Sequence, residues 1–556
     1  MSKSKFIFVS GGVISGIGKG ITAATLGFLL KARGFKISMI KADPYINVDA
    51  GTMNPLEHGE TFVLEDGFET DMDIGSYERF TGELFSRENS LTNGAVLQDV
   101  ILKERGLGYE GRWVSMDYHV PQVMIKWFKK VAENAKADIT IIEIGGTVGE
   151  IGNSLFLEAN RVMKIQDPQD VLHIHLSYLP IPQNIGEMKS KPVQISVRLL
   201  NMCGINPDFL VARANICLDQ ERVDKLSDYC IVKEDHIICA PDVTNIYEVP
   251  INFDEEQVAE KILKDLKLKP KKTSLMTDWK KRYNNIVKAK KEVNIAVVGK
   301  YTKSGIFDLK DSYASVIEAV NHASWFLGVK PKLHWIVSDG IENNKQLQNE
   351  LKKYDGVIVP QGWGSRGSEG KIKTIEIVRK NKVPYLGLCY GMQMATIEYA
   401  RNVCGLKNAN SEEVNKDTPY PVIHIMEHQK KLLEEKKYGG TIRLGAYPCN
   451  IQEGTILHEL YKKYPNELFK KLPQVMERHR HRYEFNNEYK ETLQKCGFVI
   501  SGLSPDGKLV EAIELKKKDH PFFVATQYHP ELKSQFLNPH PIFIGFVKAA
   551  LEKQKK

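Results

Sequence analysis

Short apolar runs alternate with helix-like stretches through the first ~265 residues, the rhythm of a parallel α/β sheet. Phe6–Val9, Ile37–Ile40, Ile139–Ile144 and Val171–Leu176 read as strands, and Ala23–Ala32, closed by Gly34, reads as a helix. A Lys-rich, Pro-containing stretch from Lys264 to Lys291 breaks the rhythm and reads as a linker. Its Trp279 and Tyr283 predict that part of it is helical and docked. The rhythm restarts at Val293–Gly299 and continues through Gly356–Pro360 and Pro384–Leu388. The pattern predicts two doubly wound α/β domains, 1–268 and 293–556, with 269–292 between them. No internal repeat or low-complexity segment is present. The charged piece Glu427–Lys437 reads as a mobile loop able to cover a site.

Composition narrows the class. The 556 residues are 42% hydrophobic and 26% charged, as in soluble globular proteins. No apolar stretch approaches the ~20 residues of a membrane span, and Met1–Lys5 runs into a strand with no signal-peptide core. The 8 cysteines form no Cys-x-x-Cys pair, so reduced thiols and a cytoplasmic location are expected. The net charge of +8 is spread over lysines near Lys264–Lys291 and the tail Lys553–Lys556. No basic stripe carries interleaved aromatics, so a solvated lysine surface is expected and not a nucleic-acid site.

Two segments carry chemistry. Gly11–Thr22 follows a strand and precedes a helix, the setting in which backbone N–H groups and a lysine cradle phosphates. The match to the strict motif is imperfect: Gly12 lies one position early, Gly20 follows Lys19 where Ser or Thr is usual, and Thr22 is the nearest hydroxyl. By itself the segment is either a nucleotide loop or a tight turn. Acidic residues crowd Asp66–Asp73, and Glu143 ends a strand ahead of Gly145-Gly146-Thr147; such carboxylates are Mg²⁺ ligands or solvated loop charges.

The second segment is Gly387-Leu388-Cys389-Tyr390-Gly391, an apolar strand turning sharply into a helix. Small flanking residues let the turn lift the thiol to a helix N-terminus, where thiolate is favoured and the next N–H can hold an oxyanion. His529 is the candidate base and Glu531 its orienter. The His/Arg run Glu477–Glu484 has no complementary cysteine or close acid pair and reads as a charged binding surface.

Together these segments resemble the CTP synthase family over essentially the whole chain. The N-terminal half resembles its synthetase (amidoligase) domain, P-loop-like and Rossmann-like, in Gly11–Thr22, Lys41–Asp49, Gly51-Thr52-Met53, His58-Gly59-Glu60, Glu69–Asp73, Tyr77–Phe80 and Glu143–Gly149. The C-terminal half resembles a class I glutamine amidotransferase in Gly364–Ile372, the Cys389 elbow, Asn408–Ser411, Gly439–Gly445, Glu477–Glu484 and His529-Pro530-Glu531. The resemblance implies a carbon–nitrogen ligase: ATP phosphorylates O4 of UTP, Cys389 releases ammonia from L-glutamine, and ammonia passes inside the protein to make CTP. It implies ATP contacts at Ser15, Gly16, Ile17, Gly18, Lys19, Gly20, Ile21, Lys41 and Asp73, with Mg²⁺ on Asp73 and Glu143.

For UTP and CTP it implies Ser15, Glu150, Ile151, Gly152, Lys189, Ser190, Lys191, Pro192, Val193, Gln194 and Lys225, across a subunit interface. For glutamine it implies Gly362, Tyr390, Gly391, Met392, Gln393, Glu413 and Arg482, with the N–H groups of Gly362 and Tyr390 as the oxyanion hole. It further implies a homotetramer, activated by GTP, inhibited by CTP and able to form filaments.

Several family positions differ. Pro-Gly-Gly-Phe-Gly is Pro360-Gln361-Gly362-Trp363-Gly364, and Gln361 hinders a backbone flip if positive φ is needed there. Gly-Asp-Ile-Glu is Gly149-Glu150-Ile151-Gly152, and Thr-Val-Gln-x-x-Pro-His is Trp113–His119. Lys-Asp-Val is Pro241-Asp242-Val243, and Tyr-Lys-Ser-Val is Tyr313-Ala314-Ser315-Val316, without the lysine thought to couple the domains. These differences leave open an amidoligase with another acceptor, or a non-catalytic nucleotide-binding paralogue.

Overall fold

In the computed structural model the central strands of both sheets are buried on both faces, as the unbroken apolar runs require. The structure describes all residues except 1–3, 55–56, 58, 185, 301–302, 305–306, 309–310, 427–428, 430–441, 467, 470–471 and 556. Of the expected features, His58, Gly439–Thr441 and all of Glu427–Lys437 but Gln429 lie outside the described residues. The chain divides into two compact units: Met1–Ala50 with Asp73–Lys280, and Gly51–Met72 with Lys281–Lys556.

The first unit is built on a seven-stranded parallel sheet. Its strands are β1 (Lys5–Gly11), β2 (Ile37–Asp43), β3 (Ser90–Thr92), β4 (Ile139–Ile144), β5 (Val171–Tyr178), β6 (Phe209–Ala214) and β7 (Ile237–Pro241). Their spatial order is β3-β2-β4-β1-β5-β6-β7. The chain runs to one side after β1 and to the other after β4, so strand order reverses at β1. Ligands of open α/β sheets bind beyond the carboxyl ends of strands at such a point. The ends of β1, β2 and β4 carry Gly11, Lys41 and Glu143, paired in register as Lys41 with Glu143.

Residues 269–292 contain the helix Leu275–Lys288, and Trp279 on it is fully buried. Its indole N–H donates to Tyr247 O at 2.9 Å, and its ring lies 4.1 Å from that of Phe28 and 5.4 Å from that of Phe80. The aromatic pair in this Lys-rich stretch therefore marks a docked helix.

The second unit holds a nine-stranded mixed sheet. Its strands are β8 (Glu292–Gly299), β9 (Lys330–Val337), β10 (Gly356–Val359), β11 (Tyr385–Leu388), β12 (Arg443–Ile451), β13 (Gln474–His481), β14 (Phe498–Leu503), β15 (Val510–Leu515) and β16 (Phe523–Thr526). The order is β9-β8-β10-β11-β16-β15-β14-β12-β13. β9 to β16 run parallel, and β15 onward is antiparallel. Side chains alternate between two cores: Val357, Val359 and Tyr385 face one, Ile358, Leu386 and Leu388 the other.

The run Glu477–Glu484 corrects the sequence expectation. It is the strand β13 with its turn, and Glu477, Arg478, His479 and His481 are buried. Partners distant in sequence neutralise it: Arg478 pairs with Glu65 at 2.9 Å, and Glu477 accepts from Tyr461 at 2.6 Å and pairs with His540 at 3.0 Å. Charges that looked like a surface are mostly paired in the interior. All 8 cysteines are free, and among the described residues no helix is long and apolar enough to cross a membrane.

Candidate functional site

The first unit gathers charge at the carboxyl ends of β1, β2 and β4. Val13, Gly16 and Gly18 carry φ of 77°, 73° and 93°, so the loop after β1 curls tightly before the helix Lys19–Ala32. Lys19 Nζ donates to Gly146 O at 2.7 Å. Burial lowers the Lys19 pKa, only partly opposed by Glu143. Ser15 and Gly16 are exposed on the loop tip, while Ile17 is buried beneath it.

Lys41 is the hub. Its ammonium donates to Asp73, to Glu143 Oε1 at 3.0 Å, and lies 3.6 Å from Asp43. The Tyr77 hydroxyl donates to the other oxygen of Glu143. Burial raises the pKa of Glu143, and Asp73 adds to it. Burial also pushes Asp43 up to about 6, against the pull of Lys41. Gly20 now has a physical reason. A Cβ there would stand 2.1 Å from Asp73 Oδ1, so the missing side chain lets the carboxylate reach the helix start.

One oxygen each of Asp73 and Glu143 thus meets the Lys41 ammonium. Two carboxylates are hard oxygen donors of the kind Mg²⁺ takes. Among the described residues no group of three or more His, Cys, Asp or Glu side chains is arranged to hold a metal by itself. Asp43 and Tyr77 lie in segments that carry the resemblance, but the sequence assigns neither a role; sheet register brings Asp43 here and the helix Met72–Thr81 brings Tyr77.

The segments expected to hold the pyrimidine are more dispersed. Glu150 Oε1 accepts from Thr147 N at 2.9 Å, and Ile151 is 92% exposed. Gly152 O accepts from Asn93 at 2.6 Å. Ser190 precedes the helix Lys191–Met202, with Pro192 in its first turn, and Gln194 donates to Ser190 Oγ at 3.2 Å. The Val193 side chain belongs to the hydrophobic core. Lys189 pairs with Glu187 at 2.6 Å, and Arg222 reaches the same carboxylate at 3.3 Å. Lys225 stays exposed on the neighbouring helix Gln220–Cys230.

The second unit holds a tighter constellation. β11 ends at Cys389, whose φ of 49° and ψ of −98° are strained for a non-glycine residue. The helix Tyr390–Asn402 follows at once. The strain is held by Cys389 N donating to Thr526 O at 2.7 Å and by Gly391, where a Cβ would stand 2.1 Å from Val359 O. Gln527 Nε2 donates to Cys389 Sγ at 3.5 Å.

His529 Nδ1 lies 2.7 Å from Glu531 Oε1, and its buried Nε2 makes no conventional hydrogen bond. Burial alone would lower the His529 pKa, but Glu531 and the Cys389 sulfur outweigh it and push it up to about 10. The charged imidazole is thereby favoured beside the Cys389 sulfur.

Backbone carbonyls of the segment Pro360–Gly364 are pinned by two buried lysines. Lys371 donates to Pro360 O at 2.8 Å, and Lys300 to Trp363 O at 2.8 Å and Gly364 O at 2.6 Å. Burial lowers the Lys300 pKa to about 8 and takes Lys371 well below its usual range. Glu413 Oε1 accepts from Gly364 N at 2.6 Å, and burial raises the Glu413 pKa, opposed by Lys300 and Arg482. Tyr390 donates to Gly364 O at 2.7 Å, and Gln393 donates to Tyr483 O at 2.9 Å with its Oε1 buried and unpartnered. The Met392 side chain is core. Gln361 is not among the positive-φ residues, so its side chain causes no backbone strain in this conformation. Lys300 and Gln527 have no motif signal, and Lys371 lies in Gly364–Ile372 with no role assigned to it by the sequence; only the fold brings the three to their partners.

Comparison with known proteins covers both units. Residues 5–268 match the family model described as CTP synthase N-terminus, and residues 308–549 match glutamine amidotransferase class-I. A CTP synthase of Caldanaerobacter subterraneus subsp. tengcongensis is 48% identical over 549 residues, 99% of this chain and 98% of the relative. A CTP synthase of Sulfolobus acidocaldarius is 46% identical over 547 residues, 98% of this chain and 99% of the relative. The solved glutaminase domain of Trypanosoma brucei CTPS with bound acivicin is 36% identical. It covers 47% of this chain and 94% of its own, at a TM-score of 0.41.

Proposed function

The chain belongs to the CTP synthase family, and on that premise we propose that it makes CTP from UTP, ATP and glutamine in two half-reactions. The observation that carries the glutaminase half is the Cys389 elbow, with His529 oriented 2.7 Å from Glu531.

The Cys389 sulfur attacks the carboxamide carbon of glutamine. The N–H groups of Gly362 and Tyr390 receive the oxyanion, as the pinned carbonyls around them support. His529 gives its proton to the leaving nitrogen, the C–N bond breaks, and neutral ammonia departs from a thioester. Neutral His529 then takes a proton from water, which hydrolyses the thioester to glutamate. Gln393, Glu413 and Arg482 hold the glutamine head group, with Gly391 and Met392 contributing backbone.

In the synthetase half, residues 15–21 and Lys19 hold the ATP phosphates. O4 of the uracil ring attacks the γ-phosphorus, ADP leaves, and Lys41 steadies the transferring group by charge. Asp73 and Glu143 would hold Mg²⁺, which draws negative charge from the phosphates when bound. Ammonia then adds at C4, and phosphate leaves. Glu150–Gly152, Lys189–Gln194 and Lys225 bind the pyrimidine nucleotide. The exposed Ile151 supports a site completed by another subunit, in keeping with a homotetramer. GTP as activator, CTP as inhibitor, filament formation and a cytoplasmic location extend the same proposal, as do domain limits of 1–268 and 293–556.

The test follows UTP conversion by absorbance with ATP, Mg²⁺ and GTP, comparing glutamine with ammonium chloride. CTP from both donors is expected. No CTP from either donor would sink the reading and favour another acceptor or a non-catalytic role.

A further inference from the structure

A side chain outside the Cys389–His529–Glu531 set reaches the nucleophile. Gln527 and His529 follow β16 two residues apart and both turn toward Cys389, while Tyr528 between them enters the hydrophobic core. Gln527 is buried, and its backbone N–H donates to Glu511 O at 2.8 Å. Its Nε2 lies 3.5 Å from Cys389 Sγ. The cysteine's own S–H faces elsewhere, to Arg480 O at 3.7 Å, so the sulfur lone pairs are open to a donor.

Which end of the Gln527 amide meets the sulfur is decided two residues away. Tyr483 O is a backbone carbonyl and can only accept. The Gln393 atom 2.9 Å from it is therefore the donor nitrogen, Nε2. The same nitrogen, with its second N–H, stands 3.3 Å from Gln527, so that end of Gln527 is the acceptor Oε1. The nitrogen of Gln527 is then left for the sulfur. Reversing the Gln527 amide would set two NH₂ groups against each other and an oxygen lone pair against sulfur. A backbone carbonyl thus fixes the direction of the whole chain, from Tyr483 through Gln393 and Gln527 to Cys389.

A carboxamide neither takes nor gives a proton in this reaction, unlike His529. Its N–H bond to sulfur strengthens as the sulfur becomes negative. Negative charge gathers there twice. It does so when His529 takes the thiol proton before attack on glutamine. It does so again when water has added to the thioester and the C–S bond breaks, its electron pair leaving on sulfur.

We propose that Gln527 is a further catalytic residue of the glutaminase centre, an uncharged donor that holds the Cys389 sulfur in both steps. Gln393 is its positioning residue. The inference rests on the glutaminase reading above.

The experiment compares the full wild-type chain with Gln527→Met, which keeps the volume and loses the donor. It measures two rates: alkylation of Cys389 by iodoacetamide at fixed pH, followed by peptide mass, and glutamate release from glutamine. Loss of one hydrogen bond to the sulfur predicts that alkylation and kcat each fall about threefold to tenfold, while KM for glutamine changes by less than about twofold. Should Gln527→Met fail to fold, as its melting transition would show, Gln527→Asn carries the same expectation, since it keeps the amide but draws it back by one methylene. Alkylation at the wild-type rate overturns the proposal. So does a rise in KM with kcat unchanged, which would make Gln527 part of the pocket wall only. Failure of the underlying reading is separate: wild type would then release no glutamate, while the alkylation rates would still report on the contact at sulfur.

Discussion

The two chemical centres are built on opposite plans. Around Cys389 the parts already touch: a strained cysteine, a histidine held on a carboxylate, and backbone carbonyls tied by buried lysines. Around Lys41 the parts satisfy one another. The ammonium sits among Asp43, Asp73 and Glu143, and Lys19 spends its proton on a backbone carbonyl. Covalent catalysis needs one geometry of a few short side chains, so the fold fixes it. Phosphoryl transfer needs charge placed around a large polyanion, which long side chains that pair with one another can supply.

The sharpest break between the two is Cys389→Ala. Glutamine-dependent CTP synthesis should fall by about 10⁴-fold or more, while synthesis from ammonium chloride persists. Equal loss with both donors would show that the centres are not separable.

Glu531→Gln tests whether the assembled base is what distinguishes the second centre. Glutamine hydrolysis should fall about 10²- to 10⁴-fold. The sign of the pH effect follows from the raised His529 pKa. The imidazolium is lost only as pH rises through about 10, so the alkaline limb of the glutaminase profile lies there. Without Glu531 that limb should move down toward neutrality, and a limb left in place would remove the ion pair from the account.

Lys41→Met addresses the first centre. Both glutamine- and ammonia-driven CTP formation should drop about 10²- to 10³-fold, with glutaminase turnover surviving in an assay of glutamate alone. Gly20→Ala is the gentlest probe. The new Cβ displaces only the flexible end of Asp73, so the melting temperature should hold while CTP formation falls about tenfold. Unchanged activity would mean that the Asp73 position seen here is not the working one.

The alternation of apolar runs and the glycine-flanked loops made the strands, the phosphate loop and the cysteine elbow legible in the sequence. Each depends on neighbours in the chain: a strand on its own hydrophobic run, the elbow on Gly387 and Gly391. The resemblance to a family then supplied roles for residues whose spacing alone left alternatives. What local pattern could not tell was which charges would be buried. Glu477–His481 looks solvated in one dimension and is interior in three, because Glu65, Tyr461 and His540 arrive from elsewhere to satisfy it.

The same holds for Asp43, Tyr77, Lys300, Lys371 and Gln527, to which the sequence assigned no role and which meet their partners only through sheet register and helix packing. Sequence by itself therefore determined the elements and the reactive groups, since both are set by residues near in the chain. Only tertiary structure decided which charges surround His529 and Lys41. Those depend on burial and on charges hundreds of residues away, and electrostatic energy is set by distance in space, not along the chain.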